Sequence, residues 1–273
     1  MAMAALDGRT IGLLESRRGS ELDALVRQAG GTPIRARSVQ EVERPEDVAR
    51  FAQGLEDDRF DIVVFLTGAG VQALLGRAAR HGDIENTVAS LRRCTLACRG
   101  PKPLAALKRH GLASHVTTVK PHTSDELLAA LSRVDIDRHT VALVHYGERH
   151  PDLSAALRAR GARVADICAY EWALPDDLDP IVMMVNRIID RRIDALLVTS
   201  QIQYRNLCEV AARVDREQLM TVALQTDVIV GAIGPVCADA IRRSGVVPDV
   251  MPASPNLPSL VRAVADYFDL VQG

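Results

Sequence analysis

Two segments of this chain share one design. Arg99-Gly-Pro-Lys-Pro-Leu-Ala-Ala-Leu-Lys-Arg-His-Gly111 is echoed 134 positions later by Ile233-Gly-Pro-Val-Cys-Ala-Asp-Ala-Ile-Arg-Arg-Ser-Gly245. Each closes an apolar run with Gly-Pro, opens a short amphipathic helix and stops it with glycine. Gly100 permits a sharp turn, Pro101 presets φ for the first helical position and Gly111 suits a left-handed C-terminal cap. Gly234, Pro235 and Gly245 repeat the pattern. Strand-to-helix turns leave unpaired backbone N–H groups at a helix N-terminus, where anions are favoured. Two such turns predict two similar modules and an acidic ligand.

The repeat extends beyond these corners. Asp61-Ile-Val-Val-Phe-Leu-Thr-Gly-Ala-Gly-Val71 resembles Asp194-Ala-Leu-Leu-Val-Thr-Ser-Gln-Ile-Gln203: a buried-type strand, then a hydroxyl residue, then a helix. Downstream, 116–131 and 250–264 each read as a short strand, a proline turn at Pro121 or Pro255, and a helix. A different half-unit precedes each block: strand 10–14, helix to about 29 and strand near 34, matched by 140–144, about 159 and 164. The order is A (8–37), B (61–134), A′ (138–168), B′ (194–270). Alternating strands and helices predict parallel sheets covered on both faces. Polar, proline-bearing stretches at 38–46 and 170–180 read as crossings. Either A with B and A′ with B′, or A with B′ around an inserted B with A′, satisfies the repeat.

Composition narrows the partners. The chain has 273 residues, 48% hydrophobic and only 3% aromatic, which predicts aliphatic cores and length enough for two domains. With 33 basic and 35 acidic residues the net charge is −2, which offers no basic field for nucleic acid. No secretory leader or membrane-length apolar run is evident. The odd set of five cysteines lacks a C-x-x-C pair and reads as reduced core residues of a cytoplasmic protein.

Ser16-Arg17, Leu66-Thr67-Gly68-Ala69-Gly70-Val71, Gly100-Pro101-Lys102, Tyr170-Glu171, Thr199-Ser200, Ala232-Ile233-Gly234-Pro235 and the terminal Pro248-Asp-Val-Met-Pro252 and Leu257-Pro-Ser-Leu260 occur in an order and spacing that resembles the uroporphyrinogen-III synthase family over nearly the whole chain. The resemblance implies two flavodoxin-like or Rossmann-like α/β domains with a cleft between them. One is discontinuous (1–37 and 173–273); the other (38–172) is inserted through two linkers near 38–46 and 169–180. It implies closure of hydroxymethylbilane to uroporphyrinogen III with inversion of the last ring and loss of water, and no metal or organic cofactor. It further implies a monomer, with transient contact to hydroxymethylbilane synthase as the source of substrate.

Within that resemblance Tyr170 matches the tyrosine that assists departure of the hydroxyl, since a phenol can donate a proton at neutral pH. A half-buried hinge tyrosine fits the same position. Thr67, Gly68, Thr199 and Ser200 lie just past strand C-termini, where α/β folds place ligand contacts, and the hydroxyls also suit helix capping; for Ser200 both roles are expected together. Gly100, Pro101, Gly234 and Pro235 form the two corners. Arg17, Arg18, Arg99 and Lys102 flank the turns, and of these Arg17 and Lys102 are taken as carboxylate contacts. Thr123-Ser124 before Asp125-Glu126 is first a capping signal, with Ser124 kept as a ligand candidate.

Other chemistries find little support. Seven histidines show no metal spacing, Gly68-Ala-Gly70 lacks the rest of a dinucleotide fingerprint, and no nucleophile elbow accompanies a serine. Family members often carry threonine three positions after each corner glycine, where this chain has Pro103 and Cys237. Loss of those hydroxyls leaves a second reading open: a non-catalytic relative that binds a tetrapyrrole or another small acid.

Overall fold

The computed structural model describes residues 6–15, 19–80 and 82–272. Along the chain run β1 (Thr10–Glu15), α1 (Gly19–Gln28), β2 (Thr32–Arg37), β3 (Gln40–Glu43), α2 (Pro45–Glu56), β4 (Ile62–Phe65), α3 (Gly68–Arg80), α4 (Ile84–Arg93), β5 (Thr95–Cys98), α5 (Pro101–Lys108), β6 (Val116–Thr117), α6 (Ser124–Leu131), β7 (Thr140–Gly147), α7 (Pro151–Ala159) and β8 (Arg163–Ala173). They continue with α8 (Asp179–Ile189), β9 (Ala195–Val198), α9 (Gln201–Arg213), α10 (Glu217–Thr226), β10 (Ile229–Ala232), α11 (Pro235–Arg243) and α12 (Leu257–Gln272). The chain divides into two compact units, 1–40 with 173–273, and 41–172. The second is inserted into the first, so A joins B′ and B joins A′.

The first unit holds a four-stranded sheet in the order β10-β9-β1-β2. Its pairings are parallel, with Ile11 opposite Pro33 on one side and Ala195 on the other, and Ala195 opposite Ile229. β9 reads Ala-Leu-Leu-Val and is buried at every position, as a strand covered on both faces must be. One face packs β9 and β10 against α8, α9, α10 and α11 through Met184, Ile188, Leu207 and Ile241; the other packs against α1 and α12 through Leu22, Val26, Leu260 and Val264. Gly12 has no room for a side chain, since a Cβ there would stand 2.9 Å from Ile193.

The second unit holds a six-stranded sheet, β3-β8-β7-β4-β5-β6. Its segment β8-β7-β4-β5-β6 reproduces β2-β1-β9-β10, and the bridge of Val250 to Gly231 stands where β6 pairs with β5. The duplication read from sequence is thus a duplication of topology. In both units strand order reverses beside the first strand of the A half, between β1 and β9 and between β7 and β4. Open α/β sheets bind ligands outside the carboxyl ends of strands at such a switch point.

The crossings need correction. Residues 38–46 are more than a polar link: β3 lies on the sheet edge beside β8, and Arg44 donates its N–H to Ala169 O at 3.1 Å. β8 continues to Ala173, so Tyr170 lies within an 11-residue strand.

Candidate functional site

The turns at the carboxyl ends of the strands carry most of the candidates, and their local chemistry differs from one to the next. After β4, Thr67 caps α3 by accepting the Gly70 N–H at 2.9 Å, the role its residue type predicts. Gly68 opens the helix where α5 passes so closely that a Cβ would stand 2.9 Å from the Lys102 carbonyl oxygen. Its glycine is therefore required by packing.

The two Gly-Pro corners share a sequence but not a conformation. Gly100 has φ +96°, and a Cβ there would touch the His122 ring at 3.2 Å. Gly234 has φ −178°, fully extended, so it is not the sharp left-handed turn that the parallel with Gly100 predicts; its tight neighbour is Pro255 at 3.3 Å. The terminal glycines behave as expected, with φ +65° at Gly111 and +87° at Gly245.

Their stocks of amides differ as well. At the first corner Gly100 donates its N–H to Cys98 O at 3.0 Å, and neither Pro101 nor Pro103 has an N–H. From Gly100 to Pro103 only Lys102 has an amide left. This corrects the expectation that Gly100 offers backbone donors. At the second corner, Gly234, Val236 and Cys237 have N–H groups with no backbone acceptor outside their helix among the described residues, so this is the better anion cradle.

After β9, Ser200 stands at the N-cap of α9 with extended backbone but makes no side-chain capping bond. Gln203 instead reaches back past the helix start, its Oε1 accepting the Thr199 N–H at 3.2 Å and the Thr199 hydroxyl at 2.9 Å. Before α6, Thr123 and Glu126 form a complete capping box, as predicted, and Ser124 lies just inside it. Arg17 falls outside the described residues.

Tyr170 is partly buried on β8, its hydroxyl donating to Glu43 Oε1 at 3.3 Å and its ring tilted 52° against Tyr146 at 5.7 Å between centroids. What holds this strand in place was not visible in the sequence. Asp47, in the first turn of α2, accepts the Cys168 N–H at 2.9 Å and pairs with Arg149 at 2.8 Å. Arg149 also bonds Glu171, which Arg44 grips at 2.6 Å. Burial raises the Glu171 carboxyl, but its bonds to Arg149 and Arg44 outweigh that and hold it below the ordinary range. Burial likewise works against the Arg149 charge, and Glu171 and Asp47 more than reverse it. The residues flanking Tyr170 are therefore clamped on both sides.

A second network joins β7, α7 and β8. His145, with no exposed surface, bonds Asp166 Oδ1 through Nε2 at 2.8 Å and accepts the His150 N–H at Nδ1 at 3.3 Å, which fixes the Nε2–H tautomer. Ser154 and Arg158 also donate to Asp166. Serine and histidine share one carboxylate, so histidine is not placed to take the serine proton and the trio is no nucleophilic triad. Burial raises the Asp166 carboxyl, but the bonds from His145, Ser154 and Arg158 prevail and hold it well below the usual range.

These two carboxylates predict an acid limb of stability. The folded chain protonates them at lower pH than the unfolded chain does. Their contribution is complete above the ordinary carboxylate range near pH ~4 and is lost as pH falls through the depressed folded values. Tm should drop steeply below about pH 4, and in Asp166→Asn the drop should be shallower; parallel curves for the two proteins would contradict this assignment.

Among the described residues no group of three or more His, Cys, Asp or Glu side chains could hold a metal ion, and no helix is long and apolar enough to cross a membrane. All five cysteines are free thiols, and burial pushes each of them up to about 11.

A family model described as uroporphyrinogen-III synthase HemD matches residues 20–262. Among solved structures, a mutant uroporphyrinogen III synthase from Thermus thermophilus is 28% identical, covers 97% of this chain and 99% of its own, and superposes with a TM-score of 0.76. A putative uroporphyrinogen-III synthase of Methanothermobacter thermautotrophicus is 27% identical over 253 residues, 91% of this chain and 94% of the relative. An uncharacterized Bacillus subtilis protein, YjjA, is 27% identical over 274 residues, 96% of this chain and 97% of its own.

Proposed function

Because the chain belongs to the uroporphyrinogen-III synthase family, we propose that it closes hydroxymethylbilane to uroporphyrinogen III, inverting the last pyrrole ring and releasing water. The substrate is a flexible polycarboxylate whose own pyrroles supply the electrons. Loss of the terminal hydroxyl gives an azafulvene, the inner carbon of the last ring attacks it, and the spiro product fragments and recloses. The protein's task is to hold one conformation and assist the leaving hydroxyl. Intramolecular positioning can lower a barrier by roughly 7–11 kcal/mol.

The observation that carries this reading is where free donors remain. The extended ionic networks around Asp47, Asp166 and Glu171 are satisfied internally. Among the described residues the amides of Gly234, Val236 and Cys237 meet no backbone acceptor outside their helix and the hydroxyl of Ser200 makes no capping bond, at the carboxyl ends of β10 and β9. Thr199 and Pro235 flank these turns, Thr67, Gly68, Pro101, Lys102 and Ser124 shape the corresponding turns of the other unit, and Tyr170 supplies the proton to the departing hydroxyl. A monomer receiving substrate from hydroxymethylbilane synthase completes the proposal.

The reading as an inactive binder drew on two missing threonines. Cys237 is only 3% exposed and its Sγ faces the Val198 carbonyl at 3.3 Å, and Pro103 is buried. At Cys237 the missing hydroxyl would have met the protein's own backbone, which favours the catalytic reading. The test is a coupled assay in which hydroxymethylbilane is generated in place and the isomers are separated. Type III above the spontaneous type I background is expected; type I alone would leave the chain a binder at most.

A further inference from the structure

Arg99 follows β5, where its backbone N–H goes to Phe65 O at 3.0 Å, and its side chain reaches Ser124, the first residue of α6. The guanidinium is half-buried, yet no carboxylate of the described residues lies within ion-pair distance. One long hydrogen bond, from Nη1 to Ser124 Oγ at 3.4 Å, is the only side-chain bond it makes among them. The nearby Glu126 carboxylate is committed to the N–H and hydroxyl of Thr123.

The guanidiniums of the ionic networks in this unit are paired, Arg44 and Arg149 to Glu171 and Arg158 to Asp166, and the partly buried Arg160 is satisfied by the Leu128 and Leu131 carbonyls. A guanidinium has five N–H donors in a planar fork matched to a carboxylate, and removing it from water without a partner is costly. Such a cost is tolerable where an anionic ligand completes the site. The adjoining Gly100 corner is the one poor in amides, with Lys102 its sole free backbone donor. An arginine there supplies the positive charge that backbone donors supply at Gly234.

We infer that Arg99, with Ser124 beside it, is the anchor for a carboxylate of the bound tetrapyrrole; the ligand's identity rests on the function proposed above, while the anion site itself does not. Burial pushes the Arg99 guanidinium down from its ordinary value, the signature of a charge lacking a counter-ion. His150 reports on the same spot: burial lowers it first, then the charge of Arg99, then His145, with Glu148 opposing.

The test uses uroporphyrin III, the stable oxidised octacarboxylate, as the probe, with calorimetry for affinity and assigned NMR titration of the His150 ring. The wild-type chain should bind it, R99Q about tenfold more weakly and R99K in between, at unchanged Tm. In the wild type, bound probe should raise the pH at which His150 titrates. In R99Q His150 should start higher and respond little. Equal affinity of wild type and R99Q, an unresponsive His150 in the wild type, or no binding at all would overturn the inference. If R99Q loses binding while the wild type makes no type III isomer, the anchor stands and the catalytic reading falls; if type III forms at the same KM in R99Q, the anchor falls alone.

Discussion

Tyr170→Phe is expected to slow uroporphyrinogen III formation about a hundredfold, the lower end of what a positioned general acid contributes, and to leave Tm nearly unchanged. The asymmetry follows from where the hydroxyl points. Its one partner among the described residues, Glu43, has a side chain 61% exposed, and the bond is long at 3.3 Å. Exposed interactions of this kind are worth at most about 1 kcal/mol. The ring, which packs against Tyr146, is retained in phenylalanine. Rate and Tm measured on the same preparations decide the matter. Unchanged turnover removes Tyr170 from the mechanism, whereas a large fall in Tm with proportionate loss of activity would make it a packing residue.

The largest stability effect is expected at Asp47. Asp47→Ala leaves the buried Cys168 N–H without an acceptor and deprives Arg149 of one of its two carboxylates. Removing one partner from a buried charge network typically costs about 3 kcal/mol or more, which corresponds to a fall in Tm of roughly 6–12 °C for a chain of this size. Turnover should fall as well, because the same contacts fix the strand that carries Tyr170. Arg50→Ala is the internal control: Arg50 also pairs with Asp47, but its side chain is 56% exposed and its loss should cost under about 1 kcal/mol. Similar Tm losses for the two variants would refute the view that burial of Asp47 sets its importance.

The fold was legible because it is encoded in local, repeated signals. Apolar runs such as Ile62–Phe65 and Ala195–Val198, each followed by a hydroxyl residue and a helix, announce parallel strands and their turns, and the two-fold repetition supplies an internal check. The capping box at Thr123 and Glu126 and the left-handed glycines 111 and 245 are equally local. What stayed hidden depends on partners distant in the chain. Asp47 meets Cys168 across 121 positions, and no spacing rule marks it as the clamp of the tyrosine strand. The extended Gly234 and the kinked Gly100 share the Gly-Pro dipeptide, and their spatial neighbours, Pro255 and the His122 ring, distinguish them.

Ser200 and Arg99 fail for a related reason. Serine before a helix predicts a cap, but Ser200 makes no capping bond, and the polar side chain of that first turn, Gln203, reaches back to Thr199 instead. Four basic residues flank the turns in the sequence, and nothing in their spacing separates Arg99, half-buried with no counter-ion among the described residues, from the exposed Lys102. Partial burial is a property of the packed molecule. The absence of a carboxylate neighbour is too.

On the proposed function, donors at the strand ends hold the substrate's carboxylates. Backbone amide NMR of the labelled protein, titrated with uroporphyrinogen III under reducing conditions, tests it most directly. The N–H signals of Ser200, Gly234 and Val236 should move together and saturate at one shared Kd. Saturable binding that leaves these three signals in place while others shift would contradict it.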